Sequence, residues 1–273
     1  MTDQTSALDE SQLHFFKTFG YIVLRKLLTP DELEMVEREH RDGLAAAFPD
    51  EPFDGTIGQW TRMMNEETPF FAALTEDPRF LTPAQQVCGE DVLANGTDAH
   101  FSVGNTDWHS DSGWQPDSVD VQLAVKYHFH LDAVTGKTGA LRFIPGSHLL
   151  RGRERQMFGE AIEKVPVEDI PCQAVPTQPG DVIAFDIRTW HASSGGRPGR
   201  RACNAEYFRN PDTPRGIELL REIARLQSGS RNAHQYIYPA NWLANPHGSR
   251  LRQRWIDRYL EIGFLDQPGV GEI

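Results

Sequence analysis

Two hydrophobic rhythms divide the chain: blocks of helical period up to about residue 90, and then short apolar runs with a period of two. Leu13, Phe15, Phe16 and Phe19 predict a short amphipathic helix from Ser11 that stops at Gly20, and Tyr21 to Leu24 reads as a strand. Thr29, Pro30 and Glu32 form a strong helix start, with Thr29 as N-cap, Pro30 in the first helical position and Glu32 closing a capping box. Leu33, Val36, His40, Leu44 and Ala47 share the apolar face of that helix to about Phe48, while Glu34, Glu37, Arg38, Glu39 and Arg41 are expected on its solvated face. Thr68-Pro69 and Thr82-Pro83 repeat the Thr-Pro device and predict two more short helices. Trp60, Met63 and Met64 follow no clear period; they either cover a pocket or fill a corner.

From Val92 onward, turns punctuate short strands. The clearest strand is Val121 to Leu131, with Val121, Leu123, Val125, Tyr127, Phe129 and Leu131 on one face and Gln122, Lys126, His128 and His130 on the other. Ala140 to Ile144, Asp181 to Phe185 and Arg201 to Phe208 add three more. This pattern behind a helical front end predicts a mainly β fold with flanking helices, its core a double-stranded β-helix (a cupin-like jelly roll). Two amphipathic helices close the chain. Ile217, Leu220, Ile223, Ala224 and Leu226 mark one, and Leu251, Trp255, Tyr259 and Ile262 the other, joined by the aromatic run His234 to Trp242. No repeat or low-complexity linker interrupts this order. We therefore expect a single domain over residues 1–273, with helices at about 10–90, the jelly roll at about 92–208 and helices at about 215–265.

Charge narrows the partners. Twenty-seven Lys and Arg against 39 Asp and Glu leave a net charge of −12, which disfavours nucleic acid and anionic membranes. The first ten residues are polar and no apolar run reaches the roughly 18 residues of a membrane span. Cys88, Cys172 and Cys203 are scattered without Cys-x-x-Cys spacing, so a reducing cytoplasm is the expected location and a thiolate zinc site is not expected. A small-molecule substrate remains; the sequence leaves oligomeric state open.

The stretch Trp108-His-Ser-Asp-Ser-Gly-Trp114 carries the candidate chemistry. In an extended strand His109 and Asp111 leave the same face, and with a second imidazole they would make a facial triad that holds iron(II) and leaves open positions for a cosubstrate and oxygen. The alternative is a surface turn, because Ser-Asp-Ser-Gly is turn-prone. Downstream, His191 ends a strand, and Arg200 and Arg201 follow on the returning strand, where a guanidinium would lie near the His191 metal and grip a carboxylate, with Ser193 donating to the same group. Asn105 precedes the His-x-Asp as a pocket candidate. Trp114 either walls the substrate or caps the core. Lys126, His128 and His130 either line the substrate side of the barrel or are solvated, and His148 closes a turn.

Phe19-Gly-Tyr-Ile-Val-Leu24 with the Thr-Pro-Asp-Glu-Leu33 helix, Trp108-His-Ser-Asp111, Thr138-Gly-Ala-Leu-Arg-Phe-Ile-Pro-Gly-Ser-His148, and His191-x-Ser193 followed by Arg-Arg-Ala202 together resemble the phytanoyl-CoA dioxygenase family of iron(II)/2-oxoglutarate oxygenases, including its ectoine hydroxylase relatives. The resemblance covers about residues 13 to 208. It implies that His109, Asp111 and His191 bind iron(II) and that an Arg binds 2-oxoglutarate, with O2 as oxidant and succinate and CO2 as products. Arg200 suits the family pattern of hook, one residue, then a small one, and it puts Ala202, Asn204 and Glu206 on the pocket side; Arg201 is the second choice. A carboxylate at 111, where related halogenases have Gly or Ala, points to hydroxylation or a related oxidation. The expected substrate is a small metabolite or natural-product intermediate. The alternatives are an acyl-CoA, a cupin-like metalloenzyme that does not use 2-oxoglutarate, and a jelly-roll binding module without chemistry.

Overall fold

The computed structural model describes residues 6–112, 123–228 and 238–263, the side chains of 222–228 excepted. Helix α1 (Glu10–Phe19) starts on an Asp9–Gln12 capping box and ends at Gly20, whose φ of 85° suits glycine; β1 (Tyr21–Leu24) follows. The Thr29–Glu32 capping box opens α2 (Pro30–Ala47), which buries Val36, His40, Gly43 and Leu44. Glu39 departs from the expected solvated face. Its buried carboxylate accepts the N–H groups of Phe70 and Phe71, satisfying free amides at the start of α3 (Pro69–Leu74). The helix expected at Thr82-Pro83 begins earlier: α4 (Pro78–Cys88) is capped by Asp77, which accepts the Arg79 N–H at 2.8 Å, so Pro83 lies inside the helix.

The strands are β2 (Gln59–Arg62), β3 (Val92–Ser102), β4 (Thr106–His109), β5 (Ala124–His130), β6 (Leu141–Phe143), β7 (Gln173–Ala174), β8 (Val182–Asp186), β9 (His191–Ser193) and β10 (Arg200–Arg209). They form two antiparallel sheets, in the orders β1-β8-β5-β10-β3-β2 and β4-β9-β6-β7. This is the jelly-roll arrangement the strand pattern predicted. The later helices are α5 (Gly152–Ile162), between β6 and β7, then α6 (Pro214–Ser228), α7 (Ala240–Ala244) and α8 (Arg250–Glu261).

Register gives the large sheet two different faces, because directly paired residues point the same way. Val125, Tyr127, Phe129, Cys203, Ala205 and Ala99 pack outward with the helices into the main core. The C-terminal aromatics complete this layer. Tyr238 and Tyr259 donate their hydroxyls to Ala94 O and Trp255 donates its indole N–H to Val92 O, so Tyr238 and Trp242, from the aromatic run between the C-terminal helices, belong to the core. Tyr236 lies outside the described residues.

On the inward face, Tyr21, Ile183 and Phe185 pack with Phe143 and Val175 into a small apolar cluster at one end. Across the rest run Lys126, His128 and His130 on β5, opposite Glu206, Asn204 and Ala202 on β10; Asp98 and His100 on β3 pair with Asn204 and Ala202 in turn. Trp60 and Arg62 on β2 extend this polar strip, while Met63 and Met64 are wholly buried. Among the described residues, no helix is long and apolar enough to cross a membrane.

Candidate active site

Strands β4 and β9 are antiparallel neighbours in the small sheet, and their register pairs His109 directly with His191. Residues 82 positions apart in sequence thereby bring their rings to a centroid separation of 4.1 Å. Each ring donates its Nδ1–H to a carbonyl two residues earlier, His109 to Asp107 O at 2.8 Å and His191 to Thr189 O at 2.9 Å. These bonds fix the tautomers and leave both Nε2 lone pairs free. Asp111 Oδ1 lies 3.5 Å from His109 Nε2 and 3.8 Å from His191 Nε2. The three donor atoms fall within 4.8 Å of one another, a set that could hold one metal ion.

The two oxygens of Asp111 have separate partners. Oδ1 faces the imidazoles, whereas Oδ2 takes an ion pair from Lys126 Nζ at 2.6 Å. Burial works to raise the Asp111 pKa, yet Lys126 and the imidazoles hold the carboxyl well below its ordinary value. Lys126 in turn stays charged against its own burial because Asp111, Glu206 and Asp98 face it. His191, packed against Phe143 and Phe185, is pushed down to about 3 by burial and by its His109 neighbour, so it is a neutral donor.

Along the same wall, Arg200 sits 4% exposed at the far side of His130 and Ala202. Its Nη2 donates to Ser193 Oγ and its Nη1 to Gly104 O, both at 3.3 Å, and its buried Nε has no partner. Among the described residues it meets no carboxylate. The guanidinium lies against the backbone of Gly139 and Gly196, where a Cβ at either position would collide with Nη1. This cradle explains the two glycines. Arg201 points the opposite way and is consumed by Asp132 (2.9 Å) and Glu37 (3.3 Å).

Residues 16–202 match the phytanoyl-CoA dioxygenase (PhyH) family. That stretch is more than half of the chain. The chain belongs to this family. It is therefore an iron- and 2-oxoglutarate-dependent dioxygenase. An ectoine dioxygenase of Bordetella bronchiseptica is 25% identical over 219 residues, covering 69% of this chain and 70% of its own. The 2-oxoglutarate-dependent epimerase SnoN from nogalamycin biosynthesis superimposes with a TM-score of 0.59 at 21% identity, covering 74% of this chain and 83% of that one. HygX from Streptomyces hygroscopicus, solved with nickel and 2-oxoglutarate bound, gives 0.61 at 19% identity, covering 76% and 88%.

The dioxygenase's side chains fit both cofactors. Two anchored imidazoles and one carboxylate are the donor set that ferrous iron takes, and a buried guanidinium with an orphaned N–H is a carboxylate receptor. Of the two arginines, the geometry admits Arg200 and turns Arg201, the second choice, outward onto Asp132. Ser193 lies beside Arg200. Asn105 is exposed and accepts the Gly195 N–H at 2.8 Å, bracing the turn between β9 and β10. Trp114 lies outside the described residues.

His128 and His130 are buried and committed to a directed chain. Asn204 Nδ2 donates to Asp98 Oδ1 at 2.7 Å, since a carboxylate can only accept; its Oδ1 must then accept from His128 Nδ1 at 2.8 Å. His128 Nε2 accepts from His130 Nε2 at 3.3 Å, and His130 Nδ1 accepts from the Thr177 hydroxyl at 3.3 Å. Burial and neighbouring His100 push His128 down to about 3, consistent with two neutral rings. His148, as expected, serves local structure, donating Nε2–H to Lys17 O. Sequence reading missed Asp98, Arg62 and the Gly139–Gly196 cradle. Asp98 was accessible from its place two residues before His100 on an alternating strand; the cradle had no local signal.

Proposed function

We propose that this dioxygenase hydroxylates a small, polar metabolite or natural-product intermediate, with His109, Asp111 and His191 holding iron(II) and Arg200 with Ser193 holding the far carboxylate of 2-oxoglutarate. The observation that carries the assignment is the convergence of two tautomer-fixed Nε2 atoms and Asp111 Oδ1 within 4.8 Å, with one unneutralised buried arginine on the same wall. Bound iron and 2-oxoglutarate would supply the oxidising power, coupling O2 to the release of succinate and CO2 and to oxidation of a substrate C–H bond.

The chain's own contribution is placement. The carbonyls of Asp107 and Thr189 keep the imidazole protons away from the metal side. Lys126 keeps Asp111 ionised and holds its second oxygen. Phe143 and Phe185 exclude water from the His191 flank. A carboxylate at position 111 favours hydroxylation over halogenation.

Substrate polarity follows from the wall beyond the metal. Asp98, Asn204 and Glu206 are 7 to 9% exposed on the inward face, and Lys126 is one-fifth exposed. An apolar chain laid there would strip water from these groups without replacing its hydrogen bonds. That favours a hydroxyl- or amine-bearing molecule over a fatty acyl chain, and the relative in Bordetella bronchiseptica, by its name, acts on ectoine. The test is substrate-stimulated succinate formation by iron-loaded enzyme across small polar metabolites, natural-product intermediates and acyl-CoA thioesters. Stimulation by acyl-CoA alone would overturn the substrate class. Failure to consume 2-oxoglutarate under every condition would overturn the cosubstrate.

A further inference from the structure

Behind the metal-facing side of the Asp111 segment, α5 inserts a fully buried arginine. Arg155 is 0% exposed, and its Nη2 donates to Ser110 Oγ at 2.6 Å and to Ser112 Oγ at 3.1 Å. These serines flank Asp111, so the guanidinium grips both of the carboxylate's chain neighbours. Its Nη1 donates to Arg188 O at 3.0 Å, three residues before His191. The same two segments are stitched further: Ser110 Oγ donates to Ile187 O at 3.1 Å, and the Ser112 N–H to Ile187 O at 3.3 Å. Thr189, next after Arg188, supplies the carbonyl that fixes the His191 tautomer.

We propose that Arg155 is a positioning residue for the metal site, a clamp that sets the distance between the Asp111 segment and the His191 segment. The inference rests on the assignment of His109, Asp111 and His191 as the iron ligands. Asp111 and His191 belong to segments with no covalent closeness, and the β4–β9 ladder pairs Thr106 with Ser193 and His109 with His191 but does not reach Asp111. Asp111 lies beyond the end of β4, where ladder hydrogen bonds no longer hold it. Beyond the two hydrogen bonds onto Ile187 O, the planar guanidinium adds a rigid tie, because its several N–H donors leave in fixed directions and reach both segments at once. A lysine ammonium in the same place would keep the charge but satisfy fewer of these acceptors.

The experiment titrates metal-free full-length protein with Co(II), recording the dissociation constant and the ligand-field absorption at saturation, for wild type, Arg155→Met, Arg155→Lys and the double variant Ser110→Ala/Ser112→Ala. Loss of an outer tie to a metal ligand lowers metal affinity by about 10- to 100-fold. Arg155→Met is expected in that range with an altered cobalt spectrum, Arg155→Lys in between, and the double serine variant weakened to a smaller degree because the Arg188 contact survives. Thermal unfolding of the metal-free forms separates this from general destabilisation; should Arg155→Met not fold, the serine variant decides. Affinities within twofold of wild type, with an unchanged spectrum, would overturn the clamp. His109→Ala is the control for the underlying assignment: if it binds Co(II) like wild type, the metal site itself is wrong, whereas its loss of binding beside unaffected Arg155 and serine variants refutes the clamp alone.

Discussion

Replacing Arg200 with methionine should nearly abolish 2-oxoglutarate binding while leaving metal binding in place. Methionine fills much of the arginine's length but donates nothing. Wild-type Arg200 has its Nε unpartnered and its Nη groups on long, 3.3 Å bonds to neutral oxygens, so the incoming carboxylate would gain charge-assisted hydrogen bonds that no other group in the pocket already uses. Such bonds contribute roughly 1.5–3 kcal/mol each, and burial limits screening by water. Two of them lost makes at least about 3 kcal/mol, or roughly a 150-fold rise in Kd. Arg201→Met is the internal control, since Arg201 is engaged by Asp132 and Glu37 on the other face. It should cost at most about 1 kcal/mol of stability and leave the 2-oxoglutarate Kd within about twofold. Anaerobic titration of Fe(II)-loaded enzyme with 2-oxoglutarate, followed by calorimetry, measures both. An unchanged Kd in Arg200→Met, or equal losses in the two variants, would refute the assignment of the hook.

His109→Ala and His191→Ala should each lose iron binding and turnover with the fold retained, measured by bound metal and circular dichroism, and Asp111→Gly should lose hydroxylation; full activity in any of the three contradicts the triad. Gly196→Ala should raise the 2-oxoglutarate KM more than it changes kcat at saturation, because its methyl would occupy the space of the Arg200 guanidinium; an unchanged KM would show that the cradle is slack. Burial holds His40 down to about 4 against an ordinary 6.5, outweighing the hydrogen bond it donates to His100 O. Between those pH values the unfolded chain takes up a proton that the folded chain excludes, so this contribution is whole above pH 6.5 and is lost as pH falls toward 4, at about 1.4 kcal/mol per pH unit. His40→Gln should therefore flatten the fall in urea midpoint between pH 6.5 and 4.5, and an identical slope in both proteins would exclude His40 as the source.

Local signals survived translation into structure where one stretch carries the whole cause. The Thr29–Glu32 capping box, the stop at Gly20 and the alternation of β5 are properties of neighbouring residues, and each appears as read. Glu39 and Thr82-Pro83 failed for the opposite reason. Glu39 is recruited by the amides of a helix 31 residues away, and Asp77 competes for the start of α4 with a better cap. At the site, His109 and Asp111 do converge, but through the turn beyond the end of β4 and not along the extended strand read for them, and the choice between Arg200 and Arg201 depends on which side of β10 meets Asp132, a long-range fact of register. The roles of His128 and His130 were undecidable for the same reason. Their partners Asn204 and Thr177 stand 76 and 47 residues away, and only the folded barrel shows that all four ring nitrogens are occupied.

That occupancy sharpens what the interior wall can do. An isolated charge or unmatched polar group in such a place is costly, and most of the wall avoids the cost by internal pairing: Lys126 lies between Asp111 and Glu206, Asp98 faces Asn204 and His100, and the two imidazoles bond each other. Arg200 is paired differently: among the described residues it meets no carboxylate, and its neighbours are a hydroxyl, a carbonyl and two glycines that leave it room. Its two long bonds and unpartnered Nε leave donor capacity that an incoming carboxylate would use. The lack of a carboxylate partner for Arg200 among the described residues is thus the feature that supports the proposed placement of the anionic cosubstrate at this end of the wall.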